Sequence, residues 1–254
     1  MRFFFSNLVD AAGTVITASS ENTKLPARNV ANGLAQKVWR TSSTAGAEWI
    51  AFDLGSAQEV ASLVIFAHTL KATDTLLKIE ASSVADFSVI DFASPLAWDA
   101  GAILAVFEKR VARYWRIGFT KSAAETRDVG RIFLGDYWAP ASFVDHTGVD
   151  EGVEDLSVTQ QGPSGQEFTD IRPRFATVSV DFIHCTEADA IQFKAISQSC
   201  GEFLPLFIQI ETDPYAEKLT SVRYVRFRRA FKRAVTGFDS TLLWDVKLEF
   251  KEVL

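Results

Sequence analysis

The sequence predicts an all-β protein built as two β-sandwich domains with one helix, and three observations carry this. Apolar and polar residues alternate with period two in segments spread along the chain. Phenylalanine is abundant, 21 residues against one Met and four Tyr, and aromatic residues at that density suit sheet-on-sheet cores. The charge balance changes near residue 140: residues 1–140 hold 14 Lys+Arg and 14 Asp+Glu, whereas 141–254 hold 12 and 18. A chain of 254 residues is long enough to bury two cores.

The elements follow in order. MRFFFSNLVD reads as a first strand and not as a signal peptide, because Ser6, Asn7 and Asp10 cut its apolar run. In EWIAFDLGSAQEVASLVI, Ile50, Phe52 and Leu54 alternate with Ala51 and Asp53, Gly55 ends the run, and Val60 to Phe66 begin a second strand. ARYWRIGFT at 112–120 alternates again, and Asp53 is expected to bond or ion-pair with an arginine of this segment. Ile132 to Leu134 form the last strand of a first domain, 1–140, which Ala139-Pro140 stops. Residues 141–166 read as an acidic, Gly-rich arm with Asp145, Asp150, Glu151, Glu154 and Asp155.

The second domain, 167–254, is strongly patterned. Arg174 to Ile183 alternates, with Ala176, Val178, Val180 and Phe182 on one face. Thr186 caps a helix near 187–200, with Ala188, Ile191, Ala195 and Ile196 as its apolar stripe and Gly201 as its stop. Strands follow at Phe203–Glu211, Val222–Arg229 and Leu242–Phe250. Cys185 and Cys200, the only cysteines, lack C-x-x-C spacing and read as buried free thiols of a chain made in a reducing compartment.

Catalysis is not expected. His68 ends a strand, His146 lies in the arm and His184 stands beside Cys185, on the opposite strand face. No metal-ligand spacing, nucleophile elbow or phosphate loop occurs, so neither metal nor cofactor is expected. RYVRFRRAFKR at 223–233 is basic and interleaved with aromatics, but its domain is net acidic, which argues against nucleic acid. Arg223, Arg226, Arg228 and Arg229 therefore form either a solvated sheet face or assembly contacts, with Asp150, Glu151, Glu154 and Asp155 of a partner's arm as their counterpart. The apolar stretches are too short and interrupted to span a membrane.

Two resemblances add to this reading. NVANGLAQKVWR at 29–40, EWIAFDLGSAQEVASLVI and ARYWRIGFT, in that order, resemble the discoidin or coagulation-factor C-type branch of the galactose-binding-like jelly rolls, over residues 20–138. The resemblance implies a jelly-roll β-sandwich whose loops at one end hold a ligand. Those loops are Glu21–Asn32, Val38–Gly46 and His68–Thr75. Their polarity singles out Asn22, Lys24, Arg28, Arg40 and Lys71 as ligand-binding candidates, with Trp39 as a core plug.

Secondly, GRIFLGDYWAP, RPRFATVSVDF, TEADA and GEFLPLFIQIETDP, spanning 130–215, resemble minor and distal tail proteins of long-tailed bacteriophages. This implies a structural subunit near the tail tip, assembled in the bacterial cytoplasm and located in the virion. Its implied partners are other tail proteins, copies of itself and a host-surface glycan. The alternative is a carbohydrate-binding module protein that attaches to glycans outside any virion.

Overall fold

A computed structural model of the chain describes residues 1–141, 148–210, 222–229, 231–237 and 243–253. The chain divides into an N-terminal unit, Arg2–Ala139 with Phe207–Arg223, and a C-terminal unit, Pro140–Leu206 with Tyr224–Leu254. The strands are β1 (Arg2–Phe4), β2 (Val15–Ala18), β3 (Trp39–Arg40), β4 (Gly46–His68), β5 (Thr75–Ser82), β6 (Phe92–Pro95), β7 (Ala102–Lys121) and β8 (Asp128–Gly135). They continue as β9 (Val149–Asp155), β10 (Val158–Gln161), β11 (Glu167–Asp170), β12 (Arg174–Cys185), β13 (Leu206–Gln209), β14 (Val222–Phe227), β15 (Lys232–Gly237) and β16 (Leu243–Glu252). One helix, α1 (Glu187–Cys200), follows β12. The architecture is all-β, as the patterning predicts.

In the N-terminal unit the antiparallel order is β3-β8-β4-β7-β5-β6, with β2 also on β4. The two apolar runs around Gly55, expected as separate strands, form the single 23-residue strand β4. Gly55 takes φ 77°, open to glycine at no steric cost, and the register with β7 slips between Asp53 and Gln58. The strand thus bends without ending: its first half pairs with β2 and its second with β8. Asp53 lies opposite Tyr114 at this bend and takes a bidentate pair from Arg113, at 2.7 and 2.9 Å.

Alternation fills the core. Ile50, Phe52, Leu63 and Ile65 of β4 bury with Trp115 and Ile117 of β7 and Ile132 and Leu134 of β8. Trp39 is fully buried, donates its indole N–H to the Ser20 carbonyl at 2.9 Å, and packs edge-on to Phe119, so it plugs the core. Truncating such a ring costs about 3–5 kcal/mol. The first strand, β1, pairs antiparallel with β13, and Phe207 of that strand packs on Phe66 and Phe133.

In the C-terminal unit β16 lies between β12 on one side and β14 and β15 on the other, and β12 also pairs with β9. Val178, Val180 and Phe182 of β12 and Val246, Leu248 and Phe250 of β16 bury on one face, as their alternation predicts; Leu242 lies outside the described residues. Thr186 caps α1 by accepting the Asp189 backbone N–H, and Gly201 stops it at φ 55°. The buried stripe of α1 differs from the expected one. It is Asp189, Ala190, Phe193, Ile196 and Cys200, while Ala188 and Ala195 are exposed and Ile191 is 55% exposed. Phe193 decides the rotation: its large ring meets Phe182 at 4.6 Å between centroids, which outweighs burying two alanines.

The segment expected as an acidic arm carries regular structure. Val149 and Val153 share one strand face with Glu151 and Asp155, and the strand these residues form pairs residue for residue with Arg174–Val180. β10 and β11 then make a hairpin closed by the Gly162 to Gly165 turn. Asp145 and His146 lie outside the described residues.

Candidate ligand site at the loop end of the N-terminal unit

The loops that join β3 to β4, β4 to β5 and β7 to β8 come together at one end of the N-terminal unit. A buried polar cluster ties their bases. Glu48 accepts from Ser19, from Ser20 at 2.7 Å and from Ser42 at 3.0 Å, and ion-pairs with Lys121 at 3.0 Å. Lys121, fully buried, also donates to the Ser42 carbonyl at 2.6 Å. Burial alone would push the Glu48 carboxyl up, yet the hydroxyls and Lys121 hold it below the usual carboxylate range. Thr41 joins the next loop: its hydroxyl accepts the Arg127 N–H at 2.9 Å.

A second layer carries the charged groups toward solvent. Arg127 clamps Asp74 through two bonds and reaches Glu125 at 3.1 Å, and Glu125 in turn ion-pairs with Lys71. Asp74 also accepts the Lys71 backbone N–H at 2.8 Å, which closes the turn at 71–74. Arg40 grips Asp128 at 2.7 Å through both oxygens; the Asp128 N–H donates to the Thr69 hydroxyl at 2.8 Å, and the Thr69 N–H donates to the Asp128 carbonyl at 2.9 Å. Hydrogen bonds from Lys71 and Arg127 hold the Glu125 carboxyl low; Asp74 is held low by Arg127 despite its burial.

Beside this frame stands an aromatic face. Trp98 donates its indole N–H to the Leu70 carbonyl at 2.8 Å, and the residue is 42% exposed. A tryptophan fixed at one end and open on its ring offers a flat apolar platform with little rotamer entropy left to lose.

The sequence candidates fall unevenly around this site. Lys71 belongs to it, and Arg40 borders it through Asp128 and Thr69. Asn22 lies on the adjoining turn, where its N–H donates to the Arg40 carbonyl and its side chain accepts from the Lys24 N–H. Lys24 is exposed on that turn, and Arg28 is exposed on the short 3-10 segment Ala27–Ala31. Trp98, Asp74, Glu125 and Arg127 were not singled out by sequence: Trp98 sits in a loop between unremarkable strands, and nothing local links residue 74 to residue 127.

Half of the chain is similar to carbohydrate-binding modules of known structure. A fucose-binding module of Streptococcus pneumoniae is 17% identical, with 52% of this chain and 99% of that one covered and a TM-score of 0.43. Chitosan-binding module 1 of a Paenibacillus chitosanase/glucanase is 20% identical over 52% of this chain and 99% of that one, TM-score 0.43. A Ruminococcus gnavus GH29 fucosidase, 15% identical with a TM-score of 0.45, is matched over 53% of this chain but only 27% of its own length. No family model and no curated protein matches the chain.

Four of the eight assembly candidates form ion pairs within the chain. Glu154 meets Arg228 at 3.0 Å, Asp155 meets Arg174 at 2.7 Å, and Arg229 meets Glu249 at 3.2 Å. Arg223 and Arg226 are half-buried on β14, and Asp150 and Glu151 are exposed on β9. Among the described residues no group of three or more His, Cys, Asp or Glu side chains is arranged to hold a metal ion, and no helix is long and apolar enough to cross a membrane.

Proposed function

We propose that the protein is a non-catalytic carbohydrate-binding protein whose ligand site is the loop end of the N-terminal unit. The observation that carries this reading is Trp98, half-exposed and anchored on Leu70 next to the Lys71, Glu125, Arg127 and Asp74 frame. A sugar ring needs an apolar platform for its C–H face and fixed donors and acceptors for its hydroxyls, and this end supplies both. The carboxylates here suit holding and not proton transfer. A general acid needs a raised pKa, whereas Asp74 and Glu125 are both held low by cations. A glycan array probed with the full chain and with Trp98→Ala tests the reading: discrete sugar hits lost in the variant support it, and an array without hits sinks it.

A second reading assigns the C-terminal unit a structural task in a bacteriophage tail, with other tail proteins as partners and the virion as its location. It is supported by the motif resemblance over 130–215 and by the β10–β11 hairpin. All eight strand residues of that hairpin are exposed, Phe168 by 60%, and an isolated two-stranded hairpin is marginal in water until something covers it. Co-purification of the tagged chain with phage particles tests it, and its absence from purified particles refutes it.

A further inference from the structure

The sheet of the C-terminal unit ends in two strand edges of opposite charge. On one side β9 pairs with β12 and, among the described residues, no strand lies along its other edge. It carries Asp150, Glu151, Glu154 and Asp155 and no cation. On the far side of β16, β15 pairs only with that strand among the described residues and carries Lys232 and Arg233 without a carboxylate. Both cations are exposed.

The faces of the two edges also match. Val153 lies opposite Ala176 and Val235 opposite Trp244, so both valines sit on the side of the sheet that buries Val178 and Val246. They are large exposed apolar residues, 71% and 37% open. Arg233 shares that side with Val235, while Asp150 and Lys232 lie on the other side, level with Ser179 and Lys247. Each edge therefore presents one exposed valine, and each face of β15 offers a cation to a face of β9 that holds carboxylates.

We propose that these edges join copies of the chain, the β9 edge of one molecule adding to the β15 edge of the next so that the sheet continues between them. Open strand edges seek such partners, backbone bonds supply the affinity and the charges select the pairing. Acidic β9 repels β9 and basic β15 repels β15, so only the mixed contact forms. Because the two surfaces differ, the contact is heterologous and builds a ring or a row, not a closed two-fold dimer. The pairing goes beyond the carbohydrate reading and does not depend on it.

Sedimentation velocity of the full chain tests this. At low salt the wild type should sediment as species larger than the 28.1 kDa monomer, and association should weaken as salt screens the edges. Asp150→Lys with Val153→Lys, and separately Lys232→Glu with Arg233→Glu, should each give monomers with an unchanged circular-dichroism spectrum. An equimolar mixture of the two variants brings the unaltered β9 edge of one beside the unaltered β15 edge of the other and should restore association. A monomeric wild type, variants that associate like it, or two folded variants that stay monomeric when mixed would each overturn the proposal. Glycan binding is read separately on the same variants, so loss of one property leaves the other measurable.

Discussion

The Arg127 guanidinium grips both oxygens of the Asp74 carboxylate, at 2.7 and 2.9 Å, with the two side chains 1% and 2% exposed. This pair joins the loop after β4 to the loop before β8, and Lys71, Glu125 and Trp98 are placed around it. Its energetics are asymmetric. Removing one partner strands a buried charge, whereas replacing both by apolar groups is nearly neutral in many proteins. Asp74→Ala or Arg127→Ala should therefore each cost about 3–5 kcal/mol in urea unfolding, and Asp74→Leu with Arg127→Leu clearly less. A loss in the double variant equal to the sum of the two single losses would show that the pair does not act as a unit.

Acid should unfold the protein through these same groups. Desolvation favours the neutral carboxyl of Glu48, Asp74 and Glu80, but bonds from hydroxyls and cations outweigh it and hold all three low. A depressed folded value gives stability that is present above the unfolded value, about 4, and lost as pH falls through the folded one. The melting temperature should thus be flat near neutrality and drop steeply below pH ~4. Glu48→Gln should lower stability near neutrality and flatten part of that drop; an unchanged acid limb would remove Glu48 from the explanation.

The β8 strand passes close to the loop before β3. A Cβ added at Gly130 would stand 2.1 Å from the Ala35 carbonyl oxygen and 2.9 Å from the Ala67 Cβ. Both obstacles belong to the backbone or sit next to it, so the strand itself must shift. Gly130→Ala should destabilise by about 1–3 kcal/mol, the usual cost of overpacking, and thermal unfolding reads it directly.

Cys185 and Cys200 are both buried and outside any disulfide, and burial pushes the Cys200 thiol up to about 11. At neutral pH it is a protonated thiol, and the thiolate is the reactive species. A thiol reagent should label neither residue readily in the native protein and both at once in urea. Rapid native labelling of Cys200 would contradict its packing on the core side of α1.

Much of the fold is legible in the sequence because it depends on local period. The alternation of β12 and β16 and the Thr186 cap of α1 need only neighbours in the chain to be read. Three features needed the third dimension. The stripe of α1 turns on one contact, Phe193 on Phe182, that spacing cannot weigh against alanines. The continuity of β4 depends on partners for both of its halves. The charges of 150–155 look like an arm because no apolar alternation marks them; the edge of β12 is what makes them a strand.

The candidate site was half visible. Polarity and loop placement reach Lys71 and Arg40, but Asp74 and Arg127 are 53 residues apart and meet only through topology. Trp98 carries no motif, and its role follows from one bond to Leu70 and from what it leaves exposed.

The central claim is that this loop end holds a sugar against Trp98. The most direct measurement is a two-dimensional NMR titration of the tryptophan indole N–H signals with a sugar selected from the array. The Trp98 signal should shift in a saturable way while that of buried Trp39 stays fixed, and Trp98→Ala should weaken binding roughly tenfold or more without lowering the melting temperature. Saturable shifts confined to residues away from Trp98, or full affinity in Trp98→Ala, would contradict the account.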